Sequence, residues 1–181
     1  MWFLARAKLK GGKKYYGAYL GGFPERARAL LGCKLSEPVL HVCGGCAKDY
    51  PYKRGFGPND KTLDLDPSLQ PDFLQDARNK FPFYRHQQHL DGSTTPEPWS
   101  GILMDPPYSE EDATHYFPGS DKYPKPNQLI KNALEVLPSG GRVGLIHYIL
   151  PNPQGAVFVA AVGVLCGFNN RIRIYSVFEK P

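Results

Sequence analysis

The apolar residues of this chain recur with two different periods, and their alternation is the first guide to its fold. Over positions 24–31 Ala and Leu fall at helical spacing behind a proline, and Gly32 supplies a stop. Positions 127–137 repeat the pattern, with Leu129, Ile130, Ala133, Leu134 and Leu137 on one helical face and Pro138-Ser139-Gly140-Gly141 ending it. Short apolar runs of strand character lie at 38–43, 61–65, 101–104 and 142–150, with 71–76 as a weaker one. Positions 157–166 and 171–178 pair as a closing hairpin across 167–170. Strands that alternate with helices or long connections predict an α/β domain. Its sheet is mixed and seven-stranded, largely parallel, with helices on both faces and an antiparallel edge from the C-terminal hairpin.

The totals narrow the picture. A length of 181 residues suits a single domain over 1–181, since domains commonly run to roughly 100–200 residues. Hydrophobic residues at 41% and charged residues at 22% exclude a disordered chain. No apolar run reaches the roughly 18 residues that a membrane span needs. The apolar start Met1-Trp2-Phe3-Leu4 precedes Arg6 and Lys8, the wrong order for a secretory signal, so the expected location is cytoplasmic with no membrane partner. A net charge of +5 favours an acidic partner such as nucleic acid. Cysteines at 33, 43, 46 and 166 are too few and too irregular for a disulfide framework. His41, Cys43 and Cys46 lack the fourth ligand and the second ligand pair of a closed zinc site, so no metal is expected.

Open parallel sheets bind ligands beyond the carboxyl ends of their strands, where strand order reverses. The residues just past each apolar run are therefore the site candidates. Gly44-Gly45 follows the first run and lets the backbone turn close to a ligand. Asp64 ends the second, about twenty residues on, where an acid can accept from ribose hydroxyls, with Asp66 on the same face. Asp76 ends the third and can accept from an adenine amino group. Asp105-Pro106-Pro107-Tyr108 follows the fourth and joins a carboxylate, free proline carbonyls and an aromatic ring. Asp64, Asp66 or Asp76 taken singly reads more readily as a solvated loop carboxylate than as a ligand; the order of four such features carries the inference.

That order resembles the amino-methyltransferases that use S-adenosylmethionine, and in particular the DNA adenine methyltransferases with an Asp-Pro-Pro-Tyr motif, from about Tyr15 to the C-terminus. The resemblance implies a Rossmann-like class I methyltransferase fold and S-adenosyl-L-methionine as cofactor. On it, His41, Cys43, Gly44 and Gly45 form the cofactor turn, Asp64 meets the ribose, Asp76 and Ala77 meet the adenine, and Tyr16 of Tyr15-Tyr16-Gly17 flanks the cofactor. Asp105 accepts from the target amine, the Pro106 carbonyl takes its second hydrogen, Pro107 keeps the turn rigid, and Tyr108 stacks on a flipped base. The implied reaction is methylation of the N6 amino group of adenine in DNA. Two departures stand out: the turn reads His-Val-Cys-Gly-Gly-Cys where the family shows an aromatic and Gly-x-Gly, and positions 45–61 read as a loop in place of a helix.

A separate target-recognition region, usual in that family, has no room here. The longest unassigned spans, 78–100 and 109–126, are rich in Pro, Tyr, His, Lys and Gln, as suits loops touching nucleic acid through phosphates and stacking. His115 and Tyr116 line the target pocket or a helix surface. Recognition is then short, or supplied by a second copy or another subunit. The alternatives are an RNA or N4-cytosine amino-methyltransferase, and a non-catalytic subunit of a methyltransferase complex.

Overall fold

The computed structural model describes residues 1–6, 19–49, 55–116, 123–167 and 171–181. Its main sheet runs β1 (Trp2–Leu4), β9 (Val157–Cys166), β10 (Ile172–Glu179), β8 (Arg142–His147), β7 (Gly101–Met104), β2 (Val39–Val42), β3 (Lys61–Asp64) and β4 (Phe73–Leu74). From β8 through β7, β2, β3 and β4 all pairings are parallel, whereas β10 runs antiparallel to both neighbours. The mixed α/β sheet anticipated from the sequence is therefore present, with one addition. Trp2–Leu4 forms an eighth strand, parallel to β9, because Trp2 stacks on Tyr175 and edges onto Phe23. A three-residue strand has no periodicity to read.

Alternation along the central strands divides the core between the two faces. Val39, Leu103, Ile146, Tyr175 and Val177 join one cluster with Phe23, Ala27 and Leu31 of helix α1 (Phe23–Leu31). Leu40, Val42, Ile102, Met104, Val143 and Leu145 join the other with Leu129, Ile130 and Ala133 of helix α3 (Pro126–Glu135). Both helices carry proline in the first turn, where a missing N–H costs nothing, and α1 stops at Gly32 with φ 75°. Strands β2 and β7 are buried at every position, so they read as continuous apolar runs.

The crossovers are spare. Between β2 and β3 the described residues hold one 3-10 turn, Ala47–Asp49, and between β3 and β4 another, Pro67–Leu69. The connection from β4 to β7 carries a separate hairpin, β5 (Arg85–Gln88) with β6 (Thr94–Glu97), turning at Asp91-Gly92. Span 78–100 is thus not all loop. Its base packs on the sheet through Trp99, whose indole N–H donates to the Pro82 carbonyl at 2.7 Å. Helix α2 (Glu110–Tyr116) follows β7, and His115 and Tyr116 sit edge to face on its exposed end. No helix among the described residues is long and apolar enough to cross a membrane.

Candidate active site

Strand order reverses between β2 and β7: the chain leaves β2 toward β3 and β4, then returns on the other side to β7. The glycine turn after β2 and the Asp-Pro-Pro-Tyr element after β7 therefore flank the point where open α/β sheets hold ligands. Asp105 stays attached to the sheet by donating its N–H to the Val42 carbonyl at 3.1 Å, the last rung before the prolines. At the same edge the buried Cys43 thiol feels the charges of Asp64, Asp105 and Asp76. Burial and those charges hold that thiol protonated.

Cys43 itself has φ 53°, unusual for a residue with a Cβ, and Gly45 has φ 54°. The two left-handed residues fold the chain back so that Gly45 N–H donates to Asp64 Oδ2 at 3.3 Å. Between them Gly44 has no room for a side chain: a Cβ would lie 3.1 Å from that of His41 and 3.2 Å from the Tyr19 hydroxyl. Asp64 Oδ1 accepts from the N–H groups of Leu65 at 2.8 Å and Asp66 at 3.2 Å. Three of roughly four acceptor positions on the carboxylate are taken, leaving capacity for a ligand hydroxyl. Burial raises the Asp64 pKa, and these backbone bonds only partly offset it.

Asp76 is committed elsewhere. Its carboxylate accepts from Arg78 Nη2 at 2.9 Å, from Nε at 3.2 Å and from the Arg78 backbone N–H at 2.9 Å. The loop it starts is held from α3, where the Asn132 amide donates to the carbonyls of Ala77, Arg78 and Asn79 at 3.2, 3.1 and 2.8 Å. Ala77 is buried there. Asn132 escapes a sequence reading because a polar residue on a helix normally signals its wet face.

His41 lies within β2 rather than beyond its end, with Nε2 3.1 Å from Asp60 Oδ2. Asp60 also accepts from Arg28 Nη2, from Gly57 N–H at 2.7 Å and from Val39 N–H at 3.0 Å. Burial opposes ionisation of Asp60, but the hydrogen bonds and charges of His41 and Arg28 outweigh it and hold its pKa below the usual value. His41 thus receives a structural partner that the sequence did not suggest, across a gap of 19 positions. Cys46 packs on the α1 face and Cys43 on the α3 face. Among the described residues no three metal-ligating side chains converge. Tyr16 lies outside the described residues.

The Tyr108 hydroxyl donates to Asp105 Oδ1 at 2.7 Å. Oδ2 of Asp105 has no hydrogen bond among the described residues, nor has the Pro106 carbonyl. Asp105 keeps some exposure as a residue, but burial of its carboxyl pushes its pKa up to about 7, against the lowering effects of the Tyr108 bond and the Arg173 charge. The Tyr108 ring is packed rather than open: Tyr148 lies 4.5 Å away, His147 meets it edge-on at 5.3 Å, and the Arg173 guanidinium stands 5.4 Å over it. Tyr148, half open to solvent at 36% exposure, is the ring with a free surface. Behind them, Ile149 N–H donates to His147 Nδ1 at 3.2 Å, which leaves the His147 proton on Nε2, 3.4 Å from the Tyr123 hydroxyl. That hydroxyl donates in turn to the Tyr108 carbonyl at 3.4 Å. Burial lowers the His147 pKa, in keeping with a neutral ring.

No family model matches the chain, and no curated protein does. Solved structures do. TrmN from Thermus thermophilus superposes with a TM-score of 0.61 at 20% identity, over 90% of this chain and 49% of that one. A SAM dependent methyltransferase from Aquifex aeolicus gives 0.50 at 15% identity, over 86% of this chain and 88% of that one. The chain spans about half the length of the TrmN chain. It has the Rossmann-like fold of these methyltransferases.

Proposed function

We propose that this chain transfers a methyl group from S-adenosylmethionine to the N6 amino group of adenine in nucleic acid, DNA foremost. The observation that carries the reading is the pairing, at one switch point, of a glycine turn backed by Asp64 with an Asp-Pro-Pro-Tyr element whose Asp105 Oδ2 and Pro106 carbonyl accept no hydrogen bond among the described residues. An amine with two hydrogens needs two acceptors, and Asp105 Oδ2 and the Pro106 carbonyl are two. Two acceptors set off the ring plane draw the nitrogen toward a tetrahedral shape, which takes its lone pair out of conjugation with the ring and fixes its direction, so orientation supplies much of the rate.

The residues after β2 and β3 fit the cofactor. The spare acceptor capacity of Asp64 suits a ribose hydroxyl, and Gly44, packed tightly against His41 and Tyr19, holds the turn beside it. Asp76 reaches an adenine amino group once Arg78 releases it, and Ala77 borders the same loop. S-adenosylmethionine, when bound, supplies a methyl group already activated on a sulfonium sulfur. Asp105 orients the amine and takes the proton released as the N–C bond forms. Tyr108 fixes Asp105 through Oδ1, and its enclosed ring stiffens the pocket wall, which leaves Tyr148 as the more exposed surface for a base.

The test is transfer of labelled methyl onto DNA and RNA pools, with calorimetric binding of S-adenosylhomocysteine alongside. Asp105→Ala should abolish transfer while binding stays near that of the unaltered protein. A folded Asp105→Ala protein that methylates at the unaltered rate would sink the mechanism. Failure of the unaltered protein to bind S-adenosylhomocysteine would sink the reading itself. Transfer to RNA alone, or to cytosine, would move the substrate and leave the site assignment standing.

A further inference from the structure

Arg173 stands beside this site with no carboxylate bonded to its guanidinium among the described residues; burial opposes its charge, and Tyr108, Asp105 and Tyr148 nearby outweigh that and raise its pKa. Arg28, Arg78, Arg85 and Arg142 each hold a carboxylate, those of Asp60, Asp76, Glu97 and Glu179. The Arg173 guanidinium makes no hydrogen bond and no ion pair among the described residues, and its Nε lies beneath the surface without a partner. Its guanidinium stands 5.4 Å from the centre of the Tyr108 ring. A guanidinium taken partly out of water loses hydration that a ring face only partly replaces. The acid nearest in influence, Asp105, holds the Tyr108 hydroxyl through Oδ1 and makes no bond to the guanidinium.

Position decides what the charge is for. Arg173 is the second residue of β10, beside Ile174, which registers with His147 at the end of β8. The guanidinium therefore lies on the β8–β10 side of Asp105, whereas the glycine turn and Asp64 lie on the β2–β3 side. The proposed cofactor residues and Arg173 thus lie on opposite sides of Asp105. Beside it, Tyr148 presents an exposed ring whose hydroxyl accepts from Arg171 Nη1 at 2.9 Å. A cation next to an open aromatic ring is the pairing that single-stranded nucleic acid requires, one part for backbone phosphate and one for a base face.

Resting on the methyltransferase reading above, we propose that Arg173 binds a backbone phosphate adjoining the target nucleotide, with Tyr148 as the neighbouring stacking surface. The substrate is then a polynucleotide, not a free base, a nucleoside or a protein amide. Arg173 selects the substrate and takes no part in moving the proton.

The experiment compares methyl transfer to a nucleic-acid oligomer that the protein accepts with transfer to oligomers carrying one uncharged methylphosphonate at each linkage flanking the target in turn. One uncharged linkage should lower kcat/KM of the unaltered protein roughly tenfold, as loss of a charge-assisted bond does. Arg173→Ala should show the same loss on the normal oligomer and become indifferent to that linkage. Its salt dependence of binding should flatten by about one phosphate's share. Arg173→Lys should recover part of the activity and the salt slope. Melting temperature and S-adenosylhomocysteine affinity of the variants serve as folding controls. If no flanking linkage matters to the unaltered protein, the proposal is overturned without any variant. A variant that loses activity only through a shifted pH profile, with its salt slope intact, overturns it equally by making Arg173 a positioning residue. Either result leaves transfer by the unaltered protein, and so the proposed function, in place; absence of transfer to any polynucleotide removes both.

Discussion

Asp105→Asn tests whether the carboxyl at the end of β7 is desolvated as its surroundings require. Its pKa rises from 3.8 to about 7, chiefly through burial. In the unfolded chain the group ionises near its ordinary value, so between pH 4 and 7 the folded protein binds more protons than the unfolded one. Stability then falls as pH rises through that window and stays low above it. At 1.36 kcal/mol per pKa unit, the full difference comes to about 4 kcal/mol. Asparagine can still accept from Tyr108 through its amide oxygen, but it has no charge to desolvate. Its amide nitrogen adds a cost that does not vary with pH. The quantity to measure is therefore a double difference: urea unfolding of both proteins at pH 5 and pH 8, subtracted. Groups such as His147 that titrate in both proteins cancel. Asparagine should gain about 2–4 kcal/mol relative to aspartate on going from pH 5 to pH 8, or on the order of 10 °C in melting temperature. A double difference below about 0.5 kcal/mol, within the scatter of ordinary surface substitutions, would show an ionised, solvated carboxylate and refute the argument.

The same carboxyl should set the acid limb of methyl transfer, with kcat/KM rising through about pH 7 in the unaltered protein. Tyr108→Phe removes a bond that lowers the Asp105 pKa, so its limb should move to higher pH; a limb that stays or falls would contradict that role. Asp64→Ala should weaken S-adenosylhomocysteine binding tenfold or more, whereas Asp76→Ala should cost less because Arg78 already occupies its carboxylate; calorimetry giving the reverse order would redraw the cofactor site. Asp60→Ala strands Arg28 in the core and should destabilise by about 3–5 kcal/mol, measured by denaturant unfolding at pH 7. A loss under 1 kcal/mol would mean water already reaches that pair.

The central sheet was legible because burial on two faces makes its strands largely apolar, Gly101–Met104 wholly so. Gly101–Met104 and Val157–Cys166 fall where periodicity puts them, and helices α1 and α3 declare themselves by proline at one end and an apolar stripe between. What escaped was short or polar. Trp2–Leu4 is a strand only because β9 is there to pair with it, and Arg85–Gln88 with Thr94–Glu97 have no buried face to pattern their residues. Among the candidate site residues, those at strand ends could be located by counting along the chain, since position in an open sheet follows from strand order.

Local sequence thus determined helices α1 and α3, the main strands and the placing of Gly44, Asp64, Asp76 and Asp105 at or just past strand ends, because those depend on residue periodicity and turn chemistry over a few neighbours, whereas helix α2 at Glu110–Tyr116 escaped it. It could not determine which groups those residues would meet. His41 is drawn to Asp60, Asp76 to Arg78, and the Tyr108 ring to His147, Tyr148 and Arg173. Asn132 reaches a loop 53 residues away. Such partners are chosen by three-dimensional packing, where burial raises the cost of an unmet polar group and the nearest complementary group, however distant in the chain, is the one that meets it.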